Sequence, residues 1–458
     1  MNHLVDAYFD KLTGKRVAVL GIGVSNRPLI RMLLDRGISV LACDKTPRDS
    51  LDKEVLALEQ AGAELHVGEG YLDEVQADIV FRTPGMHPNV PALCKLREQG
   101  TTVTSEMEAF FEVCPCKIIA VTGSDGKTTT TTLIAKMLEQ AGYQTWLGGN
   151  IGTPLLPLAE RMTPADFAVV ELSSFQLMGM TKSADIAVVT NLAPNHLDVH
   201  KDMAEYIEAK ENVYRHQNES GVVVLNKDNA ITDSFAPKAP GTVRKFSRQG
   251  RPENGVYLKD GVIYRNGQKL MDASDIKIPG VHNIENYMAA ACAVEGLASD
   301  ADILEVARTF GGVEHRIEFV RELNGVKYYN DSIASSPSRT IAGLHSFDQK
   351  LILIAGGYDK HIPFDVLGPE ICAHVKTLIL CGATADKIRT AVMNAPAYAP
   401  GSPEIREVGT LEEAVMQAKD SAQPGDVVTL SPACAAFDQF KNFMVRGQTY
   451  KKLVMELE

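Results

Sequence analysis

The clearest chemistry in this chain belongs to a lysine and a threonine at the mouth of a glycine-rich turn. Thr122-Gly-Ser-Asp-Gly-Lys-Thr128 follows the strand-like run Lys117–Val121 and opens a helix expected over Thr128–Gln140, stopped by Gly142. Gly123 and Gly126 let backbone N–H groups turn toward an anion, and the helix N-terminus adds partial positive charge. Lys127 can reach β- and γ-phosphates, and the Thr128 hydroxyl can ligate Mg²⁺. The spacing GxxxxGK[ST] is not met, because Val121 stands in place of the first glycine. The flanking strand and helix therefore carry the nucleotide reading, against the alternative of an ordinary glycine-rich turn.

Other candidates lie downstream. Glu171 closes the run Phe167–Val170, and an acid at a parallel strand's C-terminal end sits where such sheets place ligands. It suits Mg²⁺, which takes a few carboxylates plus phosphate oxygens. In Pro194-Asn-His196-Leu-Asp198-Val-His200 two imidazoles stand four residues apart, as in some zinc sites, but no third ligand is evident nearby. Lys210 lies on a helix expected over Met203–Gln217 with Glu208 and Glu211 beside it; its neighbours favour a solvated lysine. Asn150, in Gly148-Gly-Asn-Ile-Gly152, either binds substrate or shapes a turn. The eight cysteines include one close pair, Cys114-Pro-Cys116, and buried thiols in a reducing compartment account for them better than a zinc or redox site.

The elements that must position these groups read as α/β. A chain of 458 residues suggests about three domains at roughly 150 residues each. The net charge of −12 argues against binding bulk nucleic acid, which needs clustered Lys and Arg. No apolar run approaches the roughly 20 residues of a membrane span, and Met1–Arg16 lacks signal-peptide character, so a cytoplasmic protein is expected. Strands are expected at Arg16–Leu20, Ile38–Cys43 and Ala77–Phe81, then at Phe167–Glu171, Ile186–Thr190 and Val222–Leu225. Arg244–Lys269 reads as antiparallel ribbons. Val326–Asn330, Leu351–Ala355, Thr377–Cys381 and Asp426–Leu430 alternate with helices such as Leu411–Ser421 and Phe437–Glu456. Gly21-Ile-Gly23 with Asp44 partly fits an NAD fingerprint, but Asn26 occupies the third glycine position.

These pieces together resemble the Mur ligase family. The resemblance rests on Gly21-Ile-Gly23-Val-Ser25, Thr83-Pro-Gly85, Thr122–Thr129, Gly149-Asn-Ile-Gly152, Glu171-Leu-Ser-Ser-Phe-Gln176, and Asn195-His-Leu-Asp198 with Lys210. It continues through His282-Asn-Ile-Glu-Asn286, Glu314-His-Arg316, Asn330-Asp-Ser332, Gly356-Gly357 with Lys360, and Ser431-Pro-Ala-Cys-Ala-Ala-Phe-Asp-Gln-Phe440. The last stretch points to the member that adds D-glutamate.

The resemblance implies three domains: a Rossmann-like domain over 1–112 that binds a uridine diphosphate substrate, a central P-loop-type ATPase domain over 113–310, and a Rossmann-like amino-acid-binding domain over 311–458. It implies an ATP-dependent, ADP-forming ligase of peptidoglycan precursor synthesis that works through an acyl phosphate, as a monomer, on small molecules alone. ATP would lie on Gly123, Ser124, Asp125, Gly126, Lys127, Thr128 and Thr129, with Asn283 and Asn286 near the adenine and Arg316 and Asp331 closing on the nucleotide. Thr128 and Glu171 would hold one Mg²⁺. His196 and Lys210, the lysine carbamylated by CO₂, would hold a second. The uridine substrate would meet Gly23, Val24, Ser25, Asn26, Asp44, Lys45, Thr83, Pro84 and Gly85, with Asn150 and Ser173 toward the muramoyl group. D-glutamate would meet Ser335, Lys360, Ala436, Phe437 and Phe443. Three positions depart from relatives: Ala436 replaces a serine, Ile333 a lysine, and Tyr358-Asp359 an Asp-Gly pair. Rival readings are a ligase for another amino acid, a folylpolyglutamate-type synthase, or a non-catalytic nucleotide-binding regulator.

Overall fold

The computed structural model describes residues 3–194, 200–360 and 362–458. The chain is mixed α/β with three sheets, and it divides into two compact units. One runs up to Ala273 and takes in Glu285–Val306; the other comprises Ser274–Ile284 and Ala307–Glu458.

The first sheet holds β1 (Val17–Leu20), β2 (Val40–Asp44), β3 (Glu64–Val67), β4 (Ile79–Arg82) and β5 (Thr102–Thr104) in the order β3-β2-β1-β4-β5. All pairs are parallel. The strand order reverses beside β1, so a crevice opens at the C-terminal ends of β1 and β4. Gly21 and Thr83 meet there: a Cβ on Gly21 would lie 2.8 Å from that of Thr83, so only glycine lets the two strand ends approach.

The second sheet contains β6 (Lys117–Thr122), β7 (Thr145–Gly149), β8 (Phe167–Glu171), β9 (Ile186–Val189), β10 (Val222–Asn226), β11 (Thr242–Ser247), β12 (Gly255–Lys259), β13 (Val262–Arg265) and β14 (Gln268–Asp272). Its order is β14-β13-β12-β11-β10-β9-β6-β8-β7. The buried, β-branched β6 is flanked by β8 and β9, and Val121 lies level with Glu171 while Thr122 lies level with Val189. Three strands therefore end in one row at the phosphate loop.

The expected ribbons are only partly antiparallel. β11 pairs in parallel with both β10 and β12, while β12, β13 and β14 form an antiparallel meander. Gly255 accounts for the close approach of β12, because a Cβ there would lie 1.9 Å from the Lys245 carbonyl. The meander turns on two two-residue loops, Asp260-Gly261 and Asn266-Gly267, with φ of 50° and 77°, and 51° and 91°. Asn-Gly and Asp-Gly tolerate such positive φ pairs, which match the right-handed twist of the strands.

The third sheet, in the other unit, contains β15 (Glu318–Leu323), β16 (Val326–Asn330), β17 (Leu351–Ala355), β18 (Val375–Cys381), β19 (Glu404–Val408) and β20 (Val427–Leu430), in the order β15-β16-β20-β17-β18-β19. Only β15 runs antiparallel to its neighbour. Apolar helix faces, Leu367 and Ile371 on one side and Leu411, Val415 and Tyr450 on the other, bury it. The expected helix Phe437–Glu456 begins six residues late, at Phe443, where Asn442 caps the Val445 N–H. The helix expected over Met203–Gln217 ends early, at Glu211.

Candidate active site

The phosphate loop is built as its residue types require. Gly123 has φ 144° and Gly126 φ 77°. A Cβ on Gly123 would lie 2.0 Å from Thr190 Oγ1, and one on Gly126 2.3 Å from Asn286 Oδ1. Neither position accepts a side chain. The helix Lys127–Gln140 starts directly after Gly126, presenting its N-terminal N–H groups at the loop. The strand end after β9 clamps the loop: the Ser124 N–H donates to the Asn191 carbonyl at 2.8 Å, and the Asp125 N–H to Asn191 Oδ1 at 3.0 Å. Lys127 Nζ lies at the same turn, 3.0 Å from the Gly123 carbonyl and 2.8 Å from that of Ser124.

Glu171 faces this loop. It is buried, yet both its oxygens are engaged: Thr128 Oγ1 donates to Oε2 at 2.7 Å and Asn150 Nδ2 to Oε1 at 2.7 Å. The Asn150 N–H also donates to the Glu171 carbonyl at 2.8 Å. Of the two roles its sequence context left open, the structure shows Asn150 shaping the turn after β7, and its side chain also aims Glu171. A hydroxyl and a carboxylate held together beside a phosphate cradle are hard oxygen donors of the kind Mg²⁺ takes, so these residues fit that ion.

The expectation of a solvated Lys210 is overturned. Its helix, Met203–Glu211, turns Tyr206 and Lys210 inward, and Lys210 is only 2% exposed. Its Nζ donates to Thr122 Oγ1 at 2.9 Å and to the Gly123 carbonyl at 3.1 Å. Burial, and then the charge of Lys127, push its pKa well below the ordinary lysine value, opposed by Glu171. The motif residue Thr122 thus gains a partner that the sequence did not indicate, and Tyr206 was not singled out there; Tyr206 supports both sides, with its hydroxyl 3.1 Å from Ser124 Oγ and its ring under Lys210.

His196 lies outside the described residues. His200 is buried, 2.9 Å from Ser174 Oγ and stacked on Phe175. These contacts give it a packing role in place of the zinc spacing. Ser173 caps a short helix through Gln176. The cysteine pair Cys114 and Cys116 carries free thiols 3.5 Å apart.

At the first crevice, Asp44 turns inward and accepts from the Ile22 N–H at 2.7 Å and the Thr46 N–H at 2.9 Å. Burial alone would raise its carboxyl, but these bonds outweigh it and hold the pKa below the usual value. Asn26 is buried and donates to the Gly21 carbonyl at 2.8 Å. Both therefore shape the turn, while Gly23, Val24, Lys45 and Gly85 are exposed around it and Ser25, Thr83 and Pro84 are half-buried.

In the other unit the C-terminal ends of β16, β17 and β20 converge. Asp331 is buried and accepts from Ser431 Oγ at 2.7 Å. Burial raises its pKa to about 7, against the bonds from Ser431 and the Ile317 N–H and the charge of Arg316. The Ser431–Phe440 stretch wraps a residue that sequence reading missed. Arg446 is buried and donates to Ser332 Oγ at 3.0 Å and to the carbonyls of Ser332, Cys434 and Ala435 at 2.9–3.1 Å. A buried Arg on the helix Phe443–Glu456, aligned with apolar Tyr450 and Val454, was the available signal.

Ala436 is buried, Phe437 and Lys360 are exposed, and Ser335 and Phe443 are half-buried. The departures have local partners: Tyr358 packs edge-on against Phe437 with centroids 5.8 Å apart, Asp359 pairs with Lys387, and the Ile333 N–H donates to the His315 carbonyl. Asn283 and Asn286 are both buried on the helix Val281–Ala293, and Thr130 Oγ1 donates to Asn286 Oδ1 at 3.3 Å.

The comparisons agree with this architecture. Residues 121–294 match the Mur ligase middle domain, and residues 315–434 match the Mur ligase, glutamate ligase domain. The chain belongs to the Mur ligase family, whose members use ATP and Mg²⁺. Its relatives include the UDP-N-acetylmuramoylalanine--D-glutamate ligase of Acetivibrio thermocellus, 52% identical over 465 residues and the whole of both chains. The ligase of the same name from Clostridium botulinum (strain Alaska E43 / Type E3) is 51% identical over 97% of each. Among solved structures, UDP-N-acetylmuramate-alanine ligase MurC from Thermotoga maritima matches with a TM-score of 0.58 at 17% identity, over 96% of this chain and 99% of that one. That likeness supports the three-domain fold alone.

Proposed function

We propose that this chain joins D-glutamate to UDP-N-acetylmuramoyl-L-alanine, with conversion of ATP to ADP and phosphate, in the cytoplasm and as a monomer. The observation that carries the chemistry is the meeting of Lys127 and Thr128, at the helix start that follows β6, with Glu171 at the end of the neighbouring β8. The substrate carboxylate attacks the γ-phosphate, ADP leaves, and the amine of D-glutamate captures the resulting acyl phosphate with loss of phosphate. Forming an amide from a carboxylate and an ammonium ion is uphill in water, and cleavage of ATP drives it.

Each protein group has a part in this reading. Lys127 offsets the charge that grows as two anions approach, and the loop N–H groups orient the phosphates. Thr128 and Glu171 would hold one Mg²⁺, and His196 with carbamylated Lys210 a second; these ions supply Lewis-acid stabilisation of phosphoryl oxygens. Lys210 is suited to carbamylation because only a neutral amine adds to CO₂, with release of a proton, and its burial favours that form. The product is an anionic oxygen donor where an ammonium stood. Asn286 and Asn283 are assigned to the adenine, and Arg316 and Asp331 to the nucleotide from the third domain.

The first crevice, through Gly23, Val24, Ser25, Asn26, Asp44, Lys45 and Thr83–Gly85, takes the uridine diphosphate, with Asn150 and Ser173 toward the muramoyl group. Ser335, Lys360, Ala436, Phe437 and Phe443 take D-glutamate, the Ala436 backbone N–H replacing a serine hydroxyl. The domain division that goes with this reading is 1–112, 113–310 and 311–458. The test is a co-substrate screen with phosphate release as the readout. Release is expected only with ATP, UDP-N-acetylmuramoyl-L-alanine and D-glutamate together. Release on ATP alone would favour a nucleotide-gated regulator, and preference for another amino acid a different ligase.

A further inference from the structure

Helices Pro337–Leu344 and Leu367–His374 each end in a histidine: His345 caps the first and His374 closes the second. Glu370 stands one turn before His374 on the same helix. His345 Nε2 lies 2.6 Å from Glu370 Oε2, and His374 Nε2 lies 3.6 Å from that same oxygen. One donor atom from each residue lies within 4.8 Å of the other two. His345 and His374 line an open cavity of about 590 Å³, with Asp348 and Lys350 also on its wall.

We propose that His345, Glu370 and His374 bind one divalent cation of the zinc class, at a site the ligase reaction does not use. Two imidazole nitrogens with one carboxylate oxygen are borderline donors that suit Zn²⁺, whereas Mg²⁺ and Ca²⁺ take oxygen alone. Bonds of 2.0–2.2 Å in a tetrahedron put ligand atoms about 3.4 Å apart, a value inside the observed spread. The side chains are 51%, 33% and 32% exposed, so they can adjust without disturbing the core, and solvent completes the coordination. The two helix C-termini contribute partial negative charge, which favours a cation. Lys350 opposes it, but its Nζ is turned to the Cys372 carbonyl at 3.3 Å. A surface His–Glu ion pair would need one imidazole; the second, converging on the same oxygen, is what a metal site adds.

The test titrates the metal-free full-length chain with ZnCl₂ by calorimetry and with CoCl₂ by visible absorption, in wild type, His345→Ala, His374→Ala and Glu370→Gln. Wild type is expected to bind one saturable equivalent more than His374→Ala, with cobalt d–d bands that this variant lacks. Affinity is expected to fall at least about tenfold in the other two, and excess MgCl₂ is not expected to compete. ATP-dependent phosphate release in Mg²⁺ should be unchanged in all three variants, which controls for folding. Superimposable titrations of wild type and variants, or no saturable Zn²⁺ binding in wild type, would overturn the site.

Discussion

Thr128 and Glu171, 43 residues apart, meet at 2.7 Å, with Asn150 holding the opposite carboxylate oxygen at the same distance. The acid is therefore aimed before any ligand arrives, and both groups that fix it are neutral donors. Glu171→Gln keeps the volume but removes that charge and sets an amide N–H against a donor. The half-saturating Mg²⁺ concentration is expected to rise at least about tenfold, with kcat reduced and circular dichroism unchanged. An unaltered Mg²⁺ titration would remove Glu171 from the metal site.

Lys127→Ala removes the only side-chain cation in Thr122–Thr129. Loss of a cation that stabilises phosphoryl transfer costs about 10³-fold or more in rate. Single-turnover ADP formation in the presence of the carboxylate substrate should fall by that amount while the chain stays folded. Residual activity within tenfold of wild type would refute its role.

Lys210→Ala is expected to lose at least about 100-fold in activity and to recover part of it when short-chain carboxylates such as formate or acetate are added. The free acid would supply the oxygen donor that a carbamate otherwise brings. No recovery at any carboxylate concentration would count against carbamylation.

Asp331 predicts a pH signature. Its folded pKa, raised to about 7 by burial, means that the folded chain keeps a proton which the unfolded chain releases near about 4. The stability it contributes is full below about 4 and is lost as pH rises toward 7. In urea unfolding of the full chain, wild type should therefore lose stability across pH 4–7 relative to Asp331→Asn. Parallel pH profiles would show that Asp331 is not the group responsible.

The strands legible in the sequence are the buried ones. β6, β8, β9 and β17 are apolar, β-branched runs, and their ends place Glu171 and the phosphate loop correctly. β3, β5, β7, β15 and β19 are not among the expected strands, and each is an edge of its sheet. Edge strands are partly solvated, as the burial of β3 and β19 shows, so no apolar run marks them. From its acidic neighbours alone Lys210 reads as solvated, and only the family resemblance brings it to the site. The better signal is spacing, since Tyr206, Ala209 and Lys210 fall on one face of the helix and are buried together. Arg446 carries no signal in its partners, which are mostly main-chain carbonyls 114, 12 and 11 residues away and leave no mark in composition.

The meander of β12, β13 and β14 hangs at the far margin of the nine-stranded sheet, with β9, β10 and β11 between it and β6. At ordinary strand spacing that is about 19 Å of intervening lattice from β12 to β6. A change in the meander thus reaches the phosphate loop only through three intervening strands, and its second reversal is itself anchored, Asn266 accepting from the Gly255 N–H at 2.8 Å and donating to Glu295 Oε1 at 2.7 Å.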